Sequence, residues 1–188
     1  MRTGRGTFGL LLAALGVLVL GGVGLYLLAA ERSAAVEQPT DFSAVPAGVD
    51  YAAPSISLKA LDGNSHSLAD YRGRVVLINL WATWCPPCQA EMPILQRYFE
   101  KHRAEGLTVI AIEDGEPEAE VAAFAQRYGL TFPIWLDPGH QATDRAFKTI
   151  NLPTSYVVDR TGTVRLTWLG AISETTLEAH VTPLIRER

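Results

Sequence analysis

The sequence has few of the residues from which metal sites and nucleic-acid interfaces are built. Its net charge is −4, so no basic excess is present to attract nucleic acid. It has two methionines and therefore no methionine-rich tract for copper. Its four histidines are scattered without the spacing of zinc ligands, at His66, His102, His140 and His180. We therefore predict no nucleic-acid partner and no metal centre.

Cysteine is equally scarce, and its placement is informative. The only two cysteines, Cys85 and Cys88, lie three positions apart. A structural disulfide across so short a loop would remove little entropy from the unfolded chain. A zinc site would need two further ligands, and two unrelated core cysteines would not require the two prolines between them. A C-x-x-C pair beside a βαβ pattern instead predicts redox chemistry.

The segments around the cysteines predict a buried strand that turns into a helix. Residues 75–81 are apolar and rich in β-branched side chains, and apolar residues recur at helical spacing over residues 89–103. Pro86 suits the first position of that helix. The unpaired N–H groups and the dipole of a helix start favour a thiolate. We therefore expect Cys85 to be exposed and to attack, and Cys88 to be shielded and to resolve the mixed disulfide.

The amino-terminal region predicts a membrane anchor. Two arginines precede an uncharged apolar stretch, residues 7–30, which is long enough to span a bilayer. Their position predicts an N-terminus inside and the remainder of the chain outside the cytoplasm. A cleavable signal peptide is the alternative, although its apolar core is normally shorter. We therefore predict an anchor over residues 1–30, a flexible linker over residues 31–50 and a folded domain over residues 51–188.

Within that domain, strand-like and helix-like segments alternate. A turn at residues 62–64 predicts a small hairpin, and residues 107–112 predict a second buried strand, parallel to the first. The acidic run at residues 113–117 indicates the solvated start of a further helix and not a metal site. A hairpin turning at residues 160–162 precedes a last helix. This order predicts a mixed α/β sheet covered on both faces.

Several of these motifs resemble the thioredoxin superfamily. They are Asn79–Cys88, with Leu152–Thr154 before a strand and Asp159–Gly162 after it. Within the superfamily the sequence is similar to the membrane-anchored, extracytoplasmic branch typified by TlpA, ResA and CcmG, and residues 113–136 resemble its central insertion. The resemblance implies a thioredoxin-like fold, in which a central mixed sheet is flanked by helices. It also implies an N-terminal hairpin, the insertion and one preceding transmembrane helix.

The resemblance implies a surface for substrate binding. Pro153 matches the cis-proline that faces the cysteines in the family and presents the backbone of Leu152 to a bound polypeptide. An ordinary proline at the entry of a strand is the alternative. Trp84 is expected to form an apolar shoulder beside the first cysteine, and Pro86 belongs to the same surface. Trp81, which points the other way on its strand, is predicted to be core.

A proton-exchanging residue is also implied. Many thioredoxins have a buried aspartate at the position of Asn79, which cannot take up a proton. Members of this branch instead place a glutamate three residues after the second cysteine, where Glu91 stands. Helical spacing puts Glu91 on the face of Cys88, and burial there would raise its pKa. A surface glutamate in the first helical turn is the alternative.

We therefore predict a membrane-tethered thiol-disulfide oxidoreductase that reduces protein disulfides outside the cytoplasm and needs no cofactor. The resemblance implies apocytochrome c, or a copper-site protein of cytochrome oxidase, as substrate, and a membrane thiol electron donor of the DsbD or CcdA type. Two alternatives stay open: an oxidant that forms disulfides, and a metallochaperone that delivers copper for cytochrome oxidase assembly. A peroxidase-like relative would normally use a lone peroxidatic cysteine.

Overall fold

The structure is a computed structural model that describes residues 45–187. The anchor predicted over residues 1–30 lies outside these residues, as does most of the predicted linker. Within the described range no helix has both the length and the apolar character that crossing a bilayer requires. The strands of this range are β1 (Ala47–Ala52), β2 (Ser57–Ala60), β3 (Ser65–Ser67), β4 (Val75–Trp81), β5 (Leu107–Glu113), β6 (Ile134–Leu136), β7 (Thr154–Val158) and β8 (Thr163–Leu169).

Helices connect and cover these strands. The two long ones are α1 (Pro86–His102) and α2 (Glu118–Tyr128). A C-terminal helical segment continues through three consecutive stretches, Glu174–Thr176, Leu177–Val181 and Thr182–Arg186. Shorter helical turns occur at Leu68–Tyr71, Arg103–Glu105 and Gln141–Ala146.

The strands form one mixed sheet in the order β1-β8-β7-β4-β5-β6-β2-β3. Strands β4 and β5 are buried along their whole length and pair in parallel, because α1 crosses between them. Strand β7 pairs antiparallel to β4, with Thr154 opposite Leu80, and β8 returns beside β7. The predicted mixed α/β sheet is confirmed, and so is the hairpin of β2 and β3.

Alternation along the two central strands divides the core into two sides. Leu77 and Val109 pack with α1, α2 and the C-terminal helical segment, whereas Ile78 and Ile110 pack on the opposite side. By the same alternation Asn79, Trp81 and Glu113 face the helices. Both cysteines lie on that side. Trp81 is buried, as the sequence predicts, and Tyr156 and Trp168 are buried too.

One boundary differs from the sequence prediction. Residues 47–50, assigned to the flexible linker, belong to β1, which pairs with β8 at the edge of the sheet. The side chains of this strand are mostly exposed, so no apolar alternation marks it in the sequence. Its backbone hydrogen bonds to β8 therefore define the strand, which begins at Ala47, before the predicted start of the domain at residue 51.

Candidate redox site

The two cysteines are joined by a disulfide at the start of α1. Cys85 is the N-cap residue, and Pro86 and Pro87 occupy the first helical positions. The backbone N–H of Cys88 donates to the Sγ of Cys85 at 3.3 Å. The sulfur of Cys85 therefore lies where the unpaired N–H groups and dipole of a helix stabilise a thiolate once the disulfide is reduced.

The expectation that Cys85 is exposed is wrong for this disulfide form. Cys85 is 4% exposed and Cys88 is 0% exposed, and both belong to the core packed beneath α1. The physical reason is that the disulfide ties the first sulfur to a fully buried one. The order of exposure is nevertheless the expected one, because Cys85 alone of the pair retains surface open to solvent.

Glu91 is fully buried one helical turn after Cys88. Its carboxylate accepts a hydrogen bond from Asn79 Nδ2 at 2.8 Å and another from the backbone N–H of Ile172 at 3.0 Å. Burial raises the pKa of Glu91 to about 8, against the opposing effect of these two hydrogen bonds. The alternative of a surface glutamate is therefore wrong.

The peptide bond between Leu152 and Pro153 is cis. Thr154 pairs with Leu80, so Pro153 lies at the end of the sheet where β4 leads into the cysteines. Pro153 is buried and its carbonyl accepts from the N–H of Gly170 at 2.8 Å. The backbone of Leu152, in contrast, makes no backbone–backbone hydrogen bond within residues 45–187. Its N–H and carbonyl groups are therefore not paired with the backbone of the described sheet.

Exposed apolar side chains occur at the same end of the sheet. Trp84 is 64% exposed beside Cys85, and Pro86 is exposed after it. Ile150 and Leu169 are also exposed, the first shortly before Pro153 and the second at the end of β8, opposite Thr154. Sequence reasoning missed Ile150 and Leu169, because alternation and spacing do not distinguish an exposed apolar residue from a buried one.

The acidic run after β5 differs most from its prediction as a solvated helix start. Glu118 and Glu120, which follow the run at the start of α2, are exposed, but within the run Glu113 is fully buried and Glu116 is half-buried. Glu113 is the last residue of β5, and strand alternation turns it towards the helices. The pKa of Glu113 is raised to about 7, chiefly by burial and in part by the neighbouring carboxylate of Glu116, against the lowering effect of the hydrogen bond from the backbone N–H of Glu116.

Glu116 contacts the loop that leads to the cysteines. Its carboxylate accepts from the backbone N–H of Thr83 at 2.6 Å and from the hydroxyl of the same residue. Sequence reasoning missed this contact between residues 33 positions apart. No group of three His, Cys, Asp or Glu side chains within residues 45–187 is arranged to hold a metal ion.

The family of the chain follows from comparison with known proteins. Residues 49–167, more than half of the sequence, match the AhpC/TSA family. The chain belongs to this family. The fold agrees with a solved structure of a thiol:disulfide interchange protein of the thioredoxin family from Chlorobium tepidum TLS. The TM-score is 0.64 at 26% sequence identity, covering 74% of this chain and 99% of that one.

Curated relatives sharpen this placement. The thiol-disulfide oxidoreductase ResA of Geobacillus kaustophilus (strain HTA426) is 38% identical over 129 residues, which are 69% of this chain and 74% of the relative. The thioredoxin-like protein YneN of Bacillus subtilis (strain 168) is 37% identical over 129 residues, covering 67% and 74%. The predicted resemblance to the ResA branch is confirmed. The chain is a protein-disulfide oxidoreductase with a thioredoxin-like fold, and these comparisons do not favour the copper-delivering or disulfide-forming alternatives.

Proposed function

We propose that the chain is a membrane-tethered reductase of protein disulfides that acts outside the cytoplasm through Cys85 and Cys88. The observation that carries the proposal is the buried carboxyl group of Glu91, one turn after Cys88 on the same helix. Near neutral pH this group can accept or donate a proton as the sulfur changes state. A redox pair coupled to a buried acid is suited to cycling between disulfide and dithiol.

The direction of the reaction is argued from the charges around the pair. Strong oxidants stabilise their reduced form through a very acidic first thiol. Residues 81–90 contain no lysine, arginine or histidine that would stabilise the thiolate of Cys85 in this way. The buried carboxyl group of Glu91, whose pKa is raised to about 8, adds no positive charge that would stabilise the thiolate either. Both features favour a pair with a low reduction potential, and hence a reductase.

The exchange proceeds in two steps that balance without a cofactor. The Cys85 thiolate attacks one sulfur of the substrate disulfide, so a mixed disulfide forms and the first substrate sulfur leaves as a thiolate. Cys88 then loses its proton to Glu91 and attacks Cys85, which releases the second substrate thiolate. The two released sulfurs take up protons. The chain is left with the Cys85–Cys88 disulfide, which a donor of two electrons must reduce.

The substrate surface combines backbone and apolar contacts. The backbone of Leu152, next to the cis peptide of Pro153, would pair with an extended segment of the substrate in the manner of a strand. Trp84 and Pro86 supply exposed apolar surface beside Cys85. The substrate is therefore a polypeptide with a disulfide in an accessible, extended segment.

The cellular setting is proposed from the sequence and the family resemblance. Residues 1–30 would anchor the chain as a single span in the cell membrane, and a linker from residue 31 to the start of β1 would hold the catalytic domain outside the cytoplasm. An isolated pair there would stay oxidised without a source of electrons. We therefore propose a membrane donor of the DsbD or CcdA type, and apocytochrome c as a substrate.

The reduction potential of the Cys85–Cys88 pair tests the proposal. The full chain would be equilibrated with glutathione or dithiothreitol buffers, and the fraction of disulfide measured after acid quenching. A potential near or below that of thioredoxin, about −270 mV, is the expected result. A potential near that of DsbA, about −120 mV, would overturn the proposal and make disulfide formation the function.

A further inference from the structure

The loop between β4 and α1 is held mainly by side chains from elsewhere in the fold. Thr83, two residues before Cys85, donates both its N–H and its hydroxyl to the carboxylate of Glu116. Its carbonyl accepts from Gln89 Nε2 at 2.6 Å. The polar groups of Thr83 are therefore all satisfied by Glu116 and Gln89, and none of them pairs with a neighbouring strand.

Glu116 is itself held by a buried partner. Its backbone N–H donates to both carboxylate oxygens of Glu113, at 2.9 and 3.1 Å. Glu113 is fully buried and stands in register with Trp81, the last residue of β4. The N–H of Asp114 also donates to the carbonyl of Trp81 at 3.0 Å. The loop after β5 is thus tied to the strand before the cysteines and, through Glu116, to Thr83.

The sulfur of Cys85 follows directly after the turn that contains Thr83. The N–H of Cys85 donates to the carbonyl of Ala82 at 3.3 Å, which closes a tight turn around Thr83 and Trp84. Because Thr83 lies inside that turn, its hydrogen bonds to Glu116 set the orientation of the two residues that follow. Charge-assisted hydrogen bonds of this kind are stronger than neutral ones.

We propose that Glu116, held by Glu113, is a positioning residue for thiol–disulfide exchange. It fixes Thr83, and thereby the orientation in which Trp84 and Cys85 meet a substrate disulfide. No bond to Glu116 forms or breaks, since its carboxylate acts only through the loop. The inference rests on the proposed role of Cys85 as the attacking thiol.

The test compares variants of the full chain after reduction. Wild type, Glu116→Ala, Glu116→Gln, Thr83→Ala and the double variant Thr83→Ala/Glu116→Ala would be assayed with insulin as the disulfide-bearing protein and dithiothreitol as the reductant. Glu120→Gln is the matched control, because Glu120 is exposed on the adjacent helix. Rates would be separated into kcat and KM, and the unfolding temperature of each oxidised variant recorded.

Glu116→Ala is expected to lower kcat/KM about tenfold, mainly in kcat, because a misdirected thiolate reaches the substrate disulfide less often. Glu116→Gln keeps one acceptor for Thr83 and is expected to lose only about threefold. The double variant should lie within about twofold of Glu116→Ala, since the two residues act through one contact. The control should match wild type.

Two results would overturn the inference: a rate for Glu116→Ala equal to that of Glu120→Gln, or fully multiplicative losses in the double variant. If Glu116→Ala fails to fold, Glu116→Gln and Thr83→Ala decide the question by the same criteria. Cys85→Ser, assayed beside them, separates this inference from the proposed function. Residual exchange in Cys85→Ser would contradict the role of Cys85, whereas loss there with unchanged Glu116 variants would contradict only the positioning role.

Discussion

Two fully buried carboxyl groups lie on the helix-bearing side of the sheet, and their surroundings differ. Glu91 on α1 is held by the amide of Asn79 and the backbone N–H of Ile172. Glu113 at the end of β5 is held by the N–H of Glu116 and lies near that residue's carboxylate. Burial is the largest cause of the raised pKa in both cases, to about 8 for Glu91 and about 7 for Glu113.

The difference teaches that burial alone does not assign a role. Glu91 shares a helix face with Cys88, so a proton on its carboxyl group can follow the state of that sulfur. Glu113 is linked to the loop before Cys85 through Glu116, whose backbone N–H it accepts from and whose carboxylate binds Thr83. We therefore propose proton exchange for the first carboxyl group and support of the loop before Cys85 for the second. Single substitutions of Glu91 and of Glu113 separate the two roles.

The largest expected effect is on the resolution of the mixed disulfide. Glu91→Gln should slow this step about a hundredfold at pH 7, because an amide neither accepts nor donates the proton of Cys88. Glu113→Gln should slow it about threefold or less, since it leaves Glu91 in place. Rapid mixing of the reduced chain with a peptide disulfide, followed by acid quenching, measures the step. Equal effects of the two substitutions would contradict the assignment.

The next effect concerns the free energy of unfolding. Glu91→Ala leaves two buried donors unpaired and should cost about 2 kcal/mol, whereas Glu113→Ala leaves one N–H of Glu116 unpaired and should cost about 1 kcal/mol. Urea titration of the oxidised full chain gives both values. Glu120→Ala, exposed on α2, serves as the control and should change stability little. The reverse order of costs would show that Glu113 carries the more important contacts.

A pH series sharpens the comparison further. Both groups have a folded-state pKa above the ordinary value of 4.5, so between those values the folded chain binds more protons than the unfolded chain. The free energy of unfolding should therefore fall as pH rises above 4.5. The contribution of Glu91 falls until about pH 8, and that of Glu113 until about pH 7. Between pH 5 and 8 we expect Tm to fall by about 5 °C, and Glu91→Gln should remove most of that fall. A Tm that is unchanged by pH in wild type would contradict the burial argument.

The smallest effect on stability is expected at Glu178, a carboxylate whose pKa is lowered instead of raised. A hydrogen bond from Lys101 is the largest cause lowering the pKa of Glu178 to about 2, and Thr182 and His102 lower it too. Its contribution to stability is thus complete above pH 4.5 and lost as pH falls towards 2. Glu178→Gln should lower Tm by about 2 °C at pH 7 and by nothing near pH 2, in calorimetric scans. An equal loss at both pH values would assign the effect to packing instead of charge.

Prediction from the sequence succeeded where a rule acts over a few residues. The helix starting at Pro86, the buried strand before the cysteines and the hairpin turns follow from spacing and turn chemistry. It failed where a long-range contact overrides such a rule. Glu113 was predicted to be solvated because it stands in an acidic run, yet its place at the end of a central strand buries it. The sequence did not predict β1 for the same reason, since this strand is defined by its long-range pairing with β8.

The sequence by itself therefore determined the spacing of the two cysteines, their place at a helix start, and the position of Glu91 on the face of Cys88, because these depend on local geometry. Only the tertiary structure decided how deeply Cys85 and Glu91 are buried, and that Glu116 holds Thr83. These properties arise when β4, β5 and the helices pack together, so that residues 33 positions apart come into contact. No local sequence pattern predicts the contact between Glu116 and Thr83.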